Sequence, residues 1–186
     1  MNIYGDDTVK ELSLHILDIV ENSFRAKASL VQLEIKEDSL KNKTSIKVID
    51  DGVGMSELFL KEVTNPFKTT RTTRKVGLGL SLLKACAERC NGSFNIKSKE
   101  GLGTELFVSF EKNNIDLPPL GDIVGTIVAL VGNRYYCDLS LKRYLDGNEY
   151  SIDTKAIKSV LECDDLSQID ILTWLKEFLE EKEKEL

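Results

Sequence analysis

NPFKTTRTTRKVGLGLSLLKACAER, residues 65–89, joins a basic, threonine-rich segment to a glycine pair and then to a helical pattern. Lys68, Arg71, Arg74 and Lys75 supply the charge. Gly77, Leu78 and Gly79 follow, and Leu80, Leu83, Ala87 and Cys90 then share one face of the expected helix. A cationic loop feeding glycines at a helix N-terminus suits a polyphosphate. The glycines let backbone N–H groups approach the oxygens, the helix end adds positive potential, and the basic side chains neutralise charge. A G-x-G before a helix is common, however, and a basic loop is by default simply solvated. The flanking segments decide.

With 186 residues, 41% hydrophobic and 30% charged, the chain reads as a soluble globular protein with one sizeable core. No apolar run reaches membrane-spanning length, and MNIYGDDTVK lacks a signal pattern, so a cytoplasmic protein away from membranes is expected. A net charge of −6 argues against nucleic acid as a partner. Cys86, Cys90, Cys137 and Cys163 form no C-x-x-C pair and read as small hydrophobes, without disulfides.

Upstream, residues 7–25 predict a helix capped by Asp6 or Asp7. Leu12, Ile16, Ile19, Val20 and Phe24 cover its apolar side. Glu11, His15, Asp18 and Asn22 form a narrow polar stripe, most simply a solvated one. Two strands follow, one with Leu33 and Ile35 inward, the other with Ile46 and Val48 inward. Asp50 has the parity of Ile46 and Val48 and so points to the buried side. A buried carboxylate at a strand end is costly unless something binds it. Asp51-Gly52-Val53-Gly54 then breaks the strand and leaves room for a ligand.

Beyond the central helix, Phe94, Ile96 and Ser98 alternate with polar residues. Thr104, Leu106, Val108 and Phe110 share a face opposite Glu105, Phe107 and Ser109. Four strands apolar on one side predict a two-layer α/β sandwich, with helices on one face of the sheet. No G-x-x-x-x-G-K-[ST] loop or G-x-G-x-x-G fingerprint occurs, which disfavours the usual phosphate-loop and dinucleotide folds.

Taken together, these boxes resemble the ATP-binding domain shared by gyrase-type topoisomerases, heat-shock chaperones, histidine kinases and mismatch-repair ATPases, the GHKL superfamily with its Bergerat fold. The resemblance spans roughly residues 7–112. Asp18 to Asn22 is similar to the asparagine box, Asp50 to Gly54 to the D-x-G-x-G box, and Pro66-Phe67 to the box before the lid. Gly77 to Leu80 and Gly101 to Thr104 resemble the later glycine boxes. PFKTTR with VGLGLSLLK looks most like the histidine-kinase branch.

The resemblance implies ATP and Mg²⁺ as ligands, and roles for named residues. Asp50 accepts from the adenine amino group, Thr104 adds its hydroxyl, and Gly52 and Gly54 form the loop against the base. Asn22 holds Mg²⁺. Gly77, Leu78 and Gly79 offer N–H groups to phosphates that Lys68 and Arg71 reach from the lid. Asp18 stands where the family's ATPases usually carry glutamate as general base. It is one methylene shorter, and supporting the metal is its alternative role.

Residues 1–112 are thus expected to form the ATP-binding domain. Residues 113–186 form a linker (Asn113 to Pro119) and a small C-terminal α/β extension: a helix over 121–131, a hairpin turning at Asp146–Asn148, and a helix to Leu161. A last helix with Ile171, Leu175, Phe178 and Leu179 on one side is expected to fray through EEKEKEL. No domain carrying a phosphoacceptor histidine is evident, so the γ-phosphate is expected to reach water or a protein partner docking through the lid or the extension. The alternatives are a serine protein kinase of the anti-sigma-factor type and a non-catalytic ATP-sensing interaction protein. DNA-topology or repair work needs basic surfaces that this sequence does not offer.

Overall fold

A computed structural model describes residues 11–63, 79–133 and 137–186. The first helix, α1 (Leu12–Arg25), is followed by the hairpin β1 (Leu30–Asp38) and β2 (Lys43–Asp50), then α2 (Glu57–Val63) and α3 (Gly79–Arg89). A second hairpin, β3 (Ser93–Lys99) and β4 (Gly103–Glu111), leads to α4 (Ile123–Val131). The chain ends with β5 (Asp138–Leu145), β6 (Asn148–Asp153), α5 (Thr154–Leu161) and α6 (Ile169–Glu185).

These strands make one mixed sheet in the order β3-β4-β2-β1-β5-β6. Only β1 and β5 pair in parallel; the other neighbours are antiparallel. The expected alternation holds. Val31, Leu33 and Ile35 of β1, Ile46 and Val48 of β2, and Leu106, Val108 and Phe110 of β4 are buried on one face. Glu34, Lys36 and Lys47 lie on the other. The C-terminal hairpin extends this inner face with Leu139, Leu141 and Ile152, turning at Asp146 and Gly147, both with positive φ.

Helix α1 lies on the inner face, burying Leu12, Ile16 and Val20 completely or nearly so. Each such side chain contributes about 1.5–3 kcal/mol relative to exposure. The helix begins at Leu12, later than the start at residue 7 expected from the sequence, because Glu11 is extended (φ −146°) and makes no side-chain cap. The carbonyls of Pro119 and Leu120 accept from the N–H groups of Leu12 and Ser13 instead, at 2.9 and 2.8 Å. A segment expected as a plain linker therefore closes the helix end. The cap expected at Asp6 or Asp7 lies outside the described residues.

The polar stripe of α1 is not a solvated face. Both α3 and α4 pack against α1 beside the sheet, and His15 is only 4% exposed. Desolvation lowers its pKa below the ordinary 6.5. The unfolded chain therefore binds more protons below pH 6.5, and stability is full above that value and declines as pH falls towards the folded pKa. Thermal unfolding at pH 7.5 and 5.5 is expected to give a lower Tm at 5.5, with a smaller drop in His15→Gln. Asp51, held low first by the Ser29 hydroxyl and then by the Leu30 N–H, loses its contribution only further down, from about 3.8. Equal Tm values at the two pH values contradict the assignment.

The last helix also departs from expectation. It continues to Glu185 instead of fraying, because its acidic end has partners far away in sequence. Glu183 accepts from the Tyr150 hydroxyl at 2.6 Å and pairs with Arg143 at 3.3 Å. Arg143, on the inner face of β5 and 2% exposed, also meets Glu37 of β1 at 2.5 Å. The Asn148 amide donates to the Leu186 carbonyl at 2.9 Å. Cys86 and Cys90 are buried, as expected of small hydrophobes, whereas Cys137 and Cys163 are half-buried; all four are free thiols.

Candidate functional site

The site is assembled where α1 ends and β2 breaks. Asp51 turns outward and takes the N–H groups of Ser29 and Leu30 at 2.7 and 3.0 Å, together with the Ser29 hydroxyl. This ties the α1–β1 turn to the end of β2. Asp50 consequently faces inward, 8% exposed, as its parity predicts. The loop behind it is stitched on both sides. Val53 donates to the Ala26 carbonyl at 2.9 Å, and Gly101 of the β3–β4 turn donates to the Val53 carbonyl at 2.8 Å.

Below this loop opens a cavity of about 530 Å³, within the range of small-molecule sites. Its walls are mostly apolar: Ile19, Val48, Phe59, Leu80, Ile96 and Leu106 are among them. The polar groups converging on it include Asn22, Ser23, Asp50 and Thr104, and Gly54 lines it with backbone. Asp50 and Thr104 are direct cross-strand partners of β2 and β4, so they enter side by side.

Of the expected residues, Asn22, Asp50, Gly54 and Thr104 thus share one hollow. Gly52 sits just behind, its N–H donating to Asp50 Oδ1 at 3.0 Å. Gly54 has φ +65°, and a Cβ there would lie 2.0 Å from the Lys99 carbonyl oxygen. The backbone of the β3–β4 turn requires glycine at 54 before any ligand is considered. Among the described residues Asp18 and Gly79 do not line the cavity, but they lie against each other, and their chain neighbours Ile19 and Leu80 do line it. A Cβ on Gly79, the first residue of α3, would lie 1.8 Å from Asp18 Oδ2. Lys68, Arg71, Gly77 and Leu78 lie outside the described residues.

Asp18 Oδ2 is buried without a hydrogen-bond partner among the described residues. An unmet carboxylate oxygen costs about 1–3 kcal/mol or more, so this oxygen suits a bound group. Asn22 Oδ1 presents a hard oxygen at the cavity, currently accepting from the exposed Arg25 at 3.1 Å. These residues fit a nucleotide with a hard cation such as Mg²⁺. Among the described residues no group of three or more His, Cys, Asp or Glu could hold a metal by itself.

Three contributors escaped the sequence reading. Arg25 lines the cavity and also pairs with Glu21 at 2.6 Å. The Ser23 hydroxyl donates to Asp50 Oδ2 at 2.7 Å. Ser98 Oγ lies 2.9 Å from Thr104 Oγ1 and accepts from the Met55 N–H at 2.8 Å. For Ser98 the signal was parity, since it follows Phe94 and Ile96 on the inward side of β3; Ser23 and Arg25 lie in the last turn of α1, where no such alternation marks them.

Comparison with known proteins gives the family. The chain belongs to the Histidine kinase-, DNA gyrase B-, and HSP90-like ATPase family, whose model matches residues 8–114, more than half of its length. It is 33% identical over 101 residues to the Sensor protein DegM of Bacillus sp. (strain B21-2), covering 53% of this chain and 27% of that protein. It is 31% identical over 103 residues to Sporulation kinase D of Bacillus subtilis (strain 168), covering 55% of this chain and 20% of that protein. The match thus spans about a quarter of these relatives or less. Among solved structures, the N-terminal domain of a DNA repair protein superposes with a TM-score of 0.53 at 15% identity, covering 78% of this chain and 52% of that one, a likeness of fold. Among the described residues no helix is long and apolar enough to cross a membrane.

Proposed function

We propose that this chain binds ATP with Mg²⁺ and hydrolyses it or passes its γ-phosphate to a partner protein. One observation carries the reading: a single cavity gathers Asp50 of β2, Thr104 of β4, Asn22 of α1 and Gly54 of the intervening loop. Asp50 accepts from the purine amino group, and Thr104 completes that edge. Asn22 would hold the cation through its side-chain carbonyl oxygen, in place of its present bond from Arg25. When bound, Mg²⁺ neutralises phosphate charge and orients the oxygens. Gly79 at the start of α3, with Gly77, Leu78, Lys68 and Arg71, receives the phosphates.

Asp18 is the proposed general base, with its unpartnered oxygen available to take a proton from water or from an acceptor hydroxyl. The acceptor is water or a protein docking through the segment around residues 65–78 or through residues 113–186. A second reading, ATP sensing without turnover, draws on the contact of Asp18 with Gly79, away from the described cavity wall.

Phosphate release separates the two. Wild type is expected to release phosphate from ATP only with Mg²⁺. Asp18→Asn is expected to slow this by about 100-fold or more, with ATP affinity within threefold. Turnover unchanged in Asp18→Asn removes the assigned role. Absence of turnover in wild type, alone and with candidate serine or histidine acceptors, leaves the sensing reading.

A further inference from the structure

The two groups assigned to the purine edge are each held from behind by a serine, and those serines come from different elements. Ser23 of α1 is 4% exposed and stands 2.7 Å from Asp50 Oδ2 and 3.4 Å from the Ile19 carbonyl. A serine within a helix commonly donates back to the carbonyl four residues earlier. Its single proton cannot serve both oxygens, and the shorter bond to a carboxylate is the stronger. With Gly52 N–H on Oδ1, the Asp50 carboxylate is gripped at both oxygens, and its remaining lone pairs have fixed directions. Across the sheet, Ser98 of β3 lies 2.9 Å from both Thr104 Oγ1 and the Gly103 carbonyl oxygen.

We propose that Ser23 and Ser98 are positioning residues that hold Asp50 and Thr104 for a purine bearing an amino group at C6, and so set the preference for adenine over 6-oxo purine nucleotides. This rests on the nucleotide reading above. A carboxylate is an acceptor only, so it pairs with an amino group and opposes the carbonyl oxygen of a 6-oxo purine. Such a site rejects a mismatched edge strongly only while its polar groups cannot turn away. Without the Ser23 hydroxyl, Asp50 keeps one fixed bond and its other oxygen is free to reorient or take water. Selectivity then falls, although neither of the two groups assigned to the purine edge, Asp50 and Thr104, has changed.

The test is a titration of the 186-residue chain with ATP and with inosine triphosphate, both with Mg²⁺. Wild type is expected to prefer ATP by at least about 30-fold. Ser23→Ala is expected to reduce that ratio about tenfold, mainly through weaker ATP binding, and Ser98→Ala to reduce it by a smaller factor. A role confined to folding weakens both nucleotides alike and leaves the ratio unchanged, which overturns the proposal. Ser98→Ala supplies the same test if Ser23→Ala does not fold. If wild type binds both nucleotides equally, this inference fails and the nucleotide reading stands. If it binds neither, both fail.

Discussion

Asp50→Asn is expected to weaken ATP binding by roughly 30- to 150-fold, or about 2–3 kcal/mol. Asparagine matches aspartate in shape, so the cavity keeps its walls. What changes is the hydrogen-bonding pattern. The carboxylate accepts from Ser23 Oγ on one oxygen and from Gly52 N–H on the other. An amide has one oxygen for these two donors, and its NH₂ group then opposes either a protein donor or the purine amino group. A buried donor facing a donor loses a bond and keeps the desolvation cost. Calorimetric titration checks this, alongside a thermal melt of the ligand-free variant. Unchanged ATP affinity contradicts the role assigned to Asp50.

The second large effect is on the fold. Gly54→Ala is expected to cost about 4 kcal/mol or more, lowering Tm by upwards of 8 °C for a chain of this size. Positive φ accounts for a small part. The larger part is the collision of the new Cβ with the backbone carbonyl of Lys99, 2.0 Å away. That carbonyl belongs to the end of β3 and cannot move without the hairpin. Opening this contact also disturbs the neighbouring bond from Met55 N–H to Ser98 Oγ. Loss of ATP binding is therefore expected to accompany loss of stability. A variant with wild-type Tm refutes the packing argument.

Much of this arrangement was legible because the sheet is covered on one face. Alternation then reports directly which side chains point inward, and the parity that buries Ile46 and Val48 also carries Asp50 into the cavity. Thr104 follows by the same rule, and the β2–β4 register sets the two together. Effects without a local mark were not legible. The parallel pairing of β5 with β1 joins residues more than a hundred positions apart. The ordered end of α6 depends on Arg143 and Tyr150, about 40 and 33 positions away from Glu183. His15 is buried because α1 is packed on more sides than a two-layer picture suggests. Ser23 and Ser98 each place a single hydroxyl on a largely apolar face, a pattern with many structural explanations.

The most direct measurement follows the backbone and side-chain amide signals of labelled protein by NMR as ATP and Mg²⁺ are added. Saturable shifts are expected to concentrate at Gly52, Val53, Gly54, Thr104, Gly79 and the Asn22 side chain, with the last of these depending on the metal. Saturable shifts gathered elsewhere, with these groups unmoved, contradict the proposed nucleotide site.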